Sequence, residues 1–190
     1  MTILRAAPDH RLDLTRQALR HTSEAWELAM RAAMDHDPRE ARHVMRGAQA
    51  RRTMLRTAHQ HLLWSDASGG HRTPRRATPL DVVADLVRIN RLLGELSQTV
   101  LAVPDAEPPA ERERADIDCA RRIGSTRLRY FSESMPRPAI DRDYVASGHD
   151  LLDALADLAE TTPRRGTTSD VCLALMIALV ETSRHATRIA

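Results

Sequence analysis

The sequence predicts an all-α protein: a six-helix antiparallel bundle made of two tandem three-helix units. Three observations lead there. First, a pattern recurs. Thr73-Pro74-Arg75-Arg76-Ala77-Thr78 introduces a helical stretch reaching Leu86-Val87-Arg88-Ile89-Asn90-Arg91, and Thr162-Pro163-Arg164-Arg165-Gly166-Thr167 introduces one reaching Leu179-Val180-Glu181-Thr182-Ser183-Arg184. The offset is 89 residues at the loop and 93 at the helix. Four extra residues are about one turn, so the second helix lengthens with little change of facing direction, as a tandem duplication allows. Second, Val82, Leu86, Ile89, Leu93, Leu96 and Val100 step by four and three, a sustained heptad seam. Third, no stretch alternates with period two, so strands are not expected.

The first helix is expected from about Asp9 to Met34, with Leu12, Leu19, Thr22, Trp26, Ala29 and Ala33 on one face. Asp35-His36-Asp37-Pro38 ends it and starts the next: Asp37 suits an N-cap, and Pro38 suits the first helical position, where a missing N–H costs nothing. The second helix carries Ala41, Val44, Ala48, Leu55, Ala58 and Leu62, and the Ser65–Gly70 stretch ends it. The third has the heptad seam, widened by Val83, Ala84 and Val87. Pro104-Asp105-Ala106-Glu107-Pro108-Pro109 breaks the chain, so residues 9–102 form the first unit, 103–110 a Pro-rich linker and 111–190 the second unit.

The fourth helix is expected from about Ala110 to Ser134, with Ile117, Ala120, Ile123, Arg127 and Tyr130 as its seam. The fifth runs from about Ala139 to Glu160, and the sixth from Asp170 to the terminus. The first ten residues of the sixth are apolar almost all round, as in a helix enclosed by others. The third helix of each unit is therefore expected at the centre, with short connections setting antiparallel neighbours.

With 190 residues, 42% of them hydrophobic, the chain can build a real core. The longest apolar run, Val171 to Val180, is half of what a bilayer span of about twenty residues needs, and the first residues contain no signal-peptide-like stretch. A soluble cytoplasmic protein is expected. Cys119 and Cys172 fall in apolar helical stretches and are expected as buried free thiols, not as a disulfide or a zinc-thiolate site.

All 28 basic residues are arginine. The absence of lysine excludes Schiff-base and phosphate-loop lysine chemistry. The arginines collect in pairs such as Arg51-Arg52 and Arg121-Arg122, but net charge is only +2 and Trp, Tyr and Phe together number five. Solvated faces, with no nucleic acid as partner, are the expectation. Nine histidines include no His-x-x-x-His pair, and no Gly-x-Ser-x-Gly setting surrounds a serine, so no catalytic residue is assigned.

Ala29-Met30-Arg31-Ala32-Ala33-Met34-Asp35-His36-Asp37-Pro38-Arg39-Glu40-Ala41 resembles the first interhelical turn of the PhoU family of bacterial phosphate-signalling regulators. Leu80 to Leu101 looks like that family's third helix, and His185-Ala186-Thr187-Arg188-Ile189-Ala190 like the tail of its last. The resemblance covers most of the chain and is best in the first half. It implies a dimer-capable regulatory adaptor, not an enzyme, linking a phosphate ABC transporter ATPase to a sensor histidine kinase and restraining the phosphate-starvation response.

Family members typically carry a Glu-Arg-Ile-Gly-Asp-like motif on the third helix of each half, whose two acids hold cations through oxygen. Here the matching positions read Val87-Arg88-Ile89-Asn90-Arg91 and Val180-Glu181-Thr182-Ser183-Arg184. Valine cannot ligate a cation and guanidinium repels one, so neither metal nor cofactor is expected. Asp81 with Asp85, and Glu181 with His185, offer two ligands each, short of a site. Arg88, Arg91 and Arg184 are the candidates for binding a partner or an anion, since guanidinium matches carboxylate and phosphate geometry. Solvated or salt-bridged surface arginines are the other reading. The alternative function is a small all-α enzyme or ligand-binding domain whose arginines hold an anionic small molecule. That would need several arginines converging on one enclosed pocket, whereas an adaptor needs them spread on an exposed face.

Overall fold

A computed structural model describes residues 8–66, 79–102 and 109–134, together with Ile177. The three segments form four α-helices and no strand: α1 Pro8–Asp35, α2 Pro38–Asp66, α3 Pro79–Ala102 and α4 Glu111–Ser134. The predicted fifth and sixth helices, and with them the tandem arrangement, lie outside the described residues. So do Arg184, Glu181, His185 and Cys172. Three of the helices open on proline, where the absent N–H has no intrahelical partner to lose.

The corner between α1 and α2 is made by His36 and Asp37. His36 adopts a left-handed backbone, φ 50°, and the Asp37 N–H reaches back to the Ala32 carbonyl at 2.9 Å. That bond closes α1 as a Schellman cap. Asp37 then opens α2: its Oδ1 accepts from the Arg39 N–H at 2.7 Å, and its carbonyl accepts from the Ala41 N–H at 3.2 Å. One residue thus ends one helix and caps the next, which reverses the chain in two residues. Arg31 and Glu40 pair across this corner at 3.0 Å.

One core unites the four helices. Leu19, Trp26, Ala29 and Ala33 of α1, all six expected apolar residues of α2 and all six of the α3 seam are buried. Fully burying a leucine-sized side chain is worth about 1.5–3 kcal/mol, so the heptad seam of α3 is a principal source of stability. Val83 flanks it as expected, and Asn90 and Ser97 follow Val83 at seven-residue intervals. Ala84 and Val87 do not: both are exposed, on the opposite side of the helix with Arg91 and Gln98.

In α4 the expected seam is shifted. Ile117, Ala120 and Arg127 are buried, but Ile123 and Tyr130 are only half-buried, and Leu128 and Phe131 take the inner places. Gly124 explains the shift. A Cβ built there would fall inside the Trp26 indole, so α4 approaches α1 at its one residue without a side chain, and the face centred on Gly124 turns inward. The same rotation leaves Cys119 exposed rather than buried. The expected central place of the third helix in each unit involves the fifth and sixth helices and so lies outside the described residues. α1 packs against α2, α3 and α4, whereas α3 packs chiefly against α1 and α2. Small side chains at Ala18, Ala25, Ala29, Ala32 and Ala33 let α1 be buried on several sides.

Candidate functional site

The candidate arginines of α3 point outward. Arg88 and Arg91 are exposed, and Arg91 forms an i,i+4 ion pair with Glu95 at 2.9 Å. With 65% of its side chain accessible, that pair is a solvated one and contributes little to stability. Val87 is 48% exposed beside it. Of the five residues aligned with the family's metal motif, Ile89 and Asn90 face the interior, and Val87, Arg88 and Arg91 face away from it. Among the described residues no three His, Cys, Asp or Glu side chains gather as a metal site would require.

Asn90 has a partner the sequence did not suggest. The Arg51 Nε donates to Asn90 Oδ1 at 2.7 Å, and Arg51 Nη2 donates to the Val44 carbonyl at 2.9 Å. The guanidinium folds back along α2 over Gly47, where a Cβ would stand 2.6 Å from Nη1. Gly47 is therefore the opening through which Arg51 reaches α3. Burial lowers the Arg51 pKa from its ordinary value. Its acceptors are neutral, an amide and a carbonyl, so it stays a cation held by hydrogen bonds and not by an ion pair.

A second polar cluster fastens α4 to α1. Arg121 bridges Glu27 of α1 and Asp118 of its own helix, the latter at 2.7 Å. Ser125 Oγ donates to the other oxygen of Glu27 at 2.6 Å, and Arg122 reaches Asp118 at 3.1 Å. Arg114 pairs with Asp35 further along. These contacts rise in α1 as they fall in α4, so the two helices are antiparallel. The Arg121 hydrogen bond draws the Asp118 carboxyl below its ordinary range, and Asp118 in turn raises the Arg121 pKa.

The outer side of α2 forms a third feature. The helix carries six arginines, Arg39, Arg42, Arg46, Arg51, Arg52 and Arg56, against two acids, Glu40 and Asp66. Arg39, Arg42, Arg46, Gln49, Thr53, Arg56 and Gln60 step by three and four and are all exposed, a polar ridge opposite the buried stripe. Thr53 spends its proton on the Gln49 carbonyl at 3.1 Å, which leaves the arginines and glutamines as the ridge's outward donors. The spacing was present in the sequence. Adjacent pairs such as Arg51-Arg52 do not show it, because neighbours on a helix face are three and four apart.

The candidate arginines of α3 and the arginines placed by hydrogen bonds lie on different helix joints and faces. Arg51 lies between α2 and α3, Arg121 lies between α1 and α4 and Arg127 is buried on α4, whereas Arg39, Arg42, Arg46, Arg52, Arg56, Arg88 and Arg91 are exposed. No helix among the described residues is long and apolar enough to cross a membrane. No protein-family model and no curated protein matches the chain.

Proposed function

We propose that this chain is a non-enzymatic regulatory adaptor in phosphate sensing or uptake control, a divergent PhoU-like protein acting through protein–protein contacts. The observation that carries the adaptor part is the placement of the arginines. An enzyme built on guanidinium groups would aim several at one enclosed point, where they act in a water-excluded site. Here Arg88 and Arg91 stand on the exposed face of α3, as a docking surface requires. The phosphate-signalling part is supported by the resemblance of residues 29–41 and 80–101 to that family. Arg88, Arg91 and Arg184 are its proposed contact residues, and a transporter ATPase and a sensor histidine kinase its proposed partners.

Two measurements test this reading. Deleting the gene should change phosphate uptake or phosphate-starvation transcription, and capture from native cells should recover a transporter ATPase or a sensor kinase. Unchanged uptake and transcription in both high and low phosphate would refute the phosphate assignment.

A further inference from the structure

The outer ridge of α2 has an arrangement that neither the adaptor reading nor the fold requires. Arg39, Arg42, Arg46 and Arg56 are exposed on one side of the helix, and none of the four is ion-paired among the described residues. Exposed acids on α2 would neutralise such a row, but Glu40, the acid within it, is half-buried and committed to Arg31. From Arg39 to Arg56 the ridge runs about 25 Å at 1.5 Å per residue. Gln49 and Gln60 add neutral donors on the same line.

We propose that this ridge binds double-stranded DNA through its phosphate backbone, without reading sequence. Three physical arguments favour that occupant. A protein partner's contact is usually anchored by aromatic side chains alongside arginine, and the ridge carries no aromatic between Arg39 and Gln60. Single-stranded nucleic acid would need stacking aromatics, and these are absent from the ridge for the same reason. A duplex backbone needs only cations and donors at regular intervals, and guanidinium engages phosphate through paired N–H groups. The B-form major groove, about 12 Å wide, also admits the edge of a helix, so phosphates of both strands come within reach. The A-form groove of duplex RNA is too narrow for that. The expectation of no nucleic-acid partner rested on a whole-chain charge of +2 and few aromatics. The first average hides the concentration of charge on α2, and the second does not bear on backbone binding.

The test is fluorescence anisotropy of the full chain with a labelled duplex DNA of about 20 base pairs, roughly three times the ridge span at 3.4 Å per pair. Four phosphate contacts should give a slope of log affinity on log salt of about −3.6, hence about a hundredfold loss between roughly 50 and 200 mM salt. The triple variant Arg42→Ala/Arg46→Ala/Arg56→Ala should bind at least about tenfold more weakly at low salt, with a slope near −0.9. Arg20→Ala/Arg129→Ala, which removes exposed arginines from α1 and α4, should change neither. Circular dichroism verifies that each variant stays helical. If the triple variant does not, the single substitutions serve, each lowering the slope by about 0.9. The proposal is overturned by no binding at low salt, by salt-independent binding or by full binding of the triple variant. Equal or tighter binding of duplex RNA, or of polyglutamate, overturns it as well.

Discussion

The α1–α4 and α2–α3 contacts solve the same problem in opposite ways. Each joins two amphipathic helices and each places an arginine across the joint. At α2–α3 the guanidinium of Arg51 sits over Gly47 and donates to an amide and a carbonyl, beside an apolar heptad seam. At α1–α4 the guanidinium of Arg121 sits at the rim among Glu27 and Asp118, while the close approach is made by Trp26 against Gly124. In both, a glycine supplies the room and an arginine the direction. The partner's charge differs. Neutral acceptors make the α2–α3 link indifferent to pH and salt, whereas carboxylates make the α1–α4 link answer to both.

The contrast can be broken in order of expected effect. Gly124→Ala puts a methyl group into the Trp26 ring, which is fully buried, so stability should fall by about 3 kcal/mol, the upper part of the overpacking range. Urea unfolding would show it, and a loss under about 0.5 kcal/mol would mean α4 does not approach α1 as described. Arg51→Met should cost about 1–2 kcal/mol by leaving the buried Asn90 carbonyl oxygen without its donor. The double variant Arg51→Met/Asn90→Leu should recover part of that loss; if it is instead fully additive, the two side chains are not coupled.

The smallest effect belongs to pH. Because the folded Asp118 pKa lies below its ordinary 3.8, its contribution is present above the carboxylate range and is lost as pH falls through the lowered value. The wild-type advantage over Asp118→Asn should be below about 1 kcal/mol at neutral pH, and should vanish under acid conditions or in about 1 M salt. An advantage that persists at low pH would assign the effect to packing instead.

Much of this was legible in the sequence, for reasons that particular residues make plain. The heptad of Val82 to Val100 and the Asp37-Pro38 start signal are local, and both appear where the spacing put them. The seam of α4 differs from the expected one because large side chains at Ile123 and Tyr130 signal burial in a sequence whereas Gly124 carries no such signal. Only the neighbouring Trp26 reveals that the glycine is the point of closest approach. The same rotation turns Cys119 outward. The Arg51–Asn90 bond joins residues 39 apart in the chain, and Glu27–Arg121 joins residues 94 apart. No periodicity within a single helix encodes such pairs. The sequence offers Arg88 and Arg91 as candidate contacts, but whether they face in or out depends on the rotation of α3, which its second flank of Val83, Asn90 and Ser97 decides.

The two-residue corner at His36 and Asp37 also sets an order of events. Because it closes so short a loop, α1 and α2 can pair as soon as both exist, at minimal entropic cost. The contacts of α1 with α4 must wait for a segment nearly a hundred residues downstream. At a synthesis rate of about 5–20 residues per second, the roughly sixty residues between the end of α2 and Gly124 take on the order of 3–12 seconds. During that time the Trp26 side of the hairpin remains uncovered by α4. A nascent chain therefore passes through a stage in which Trp26, among the largest buried side chains of the described residues, lacks its cover from α4, and the arrival of Gly124 ends that exposure.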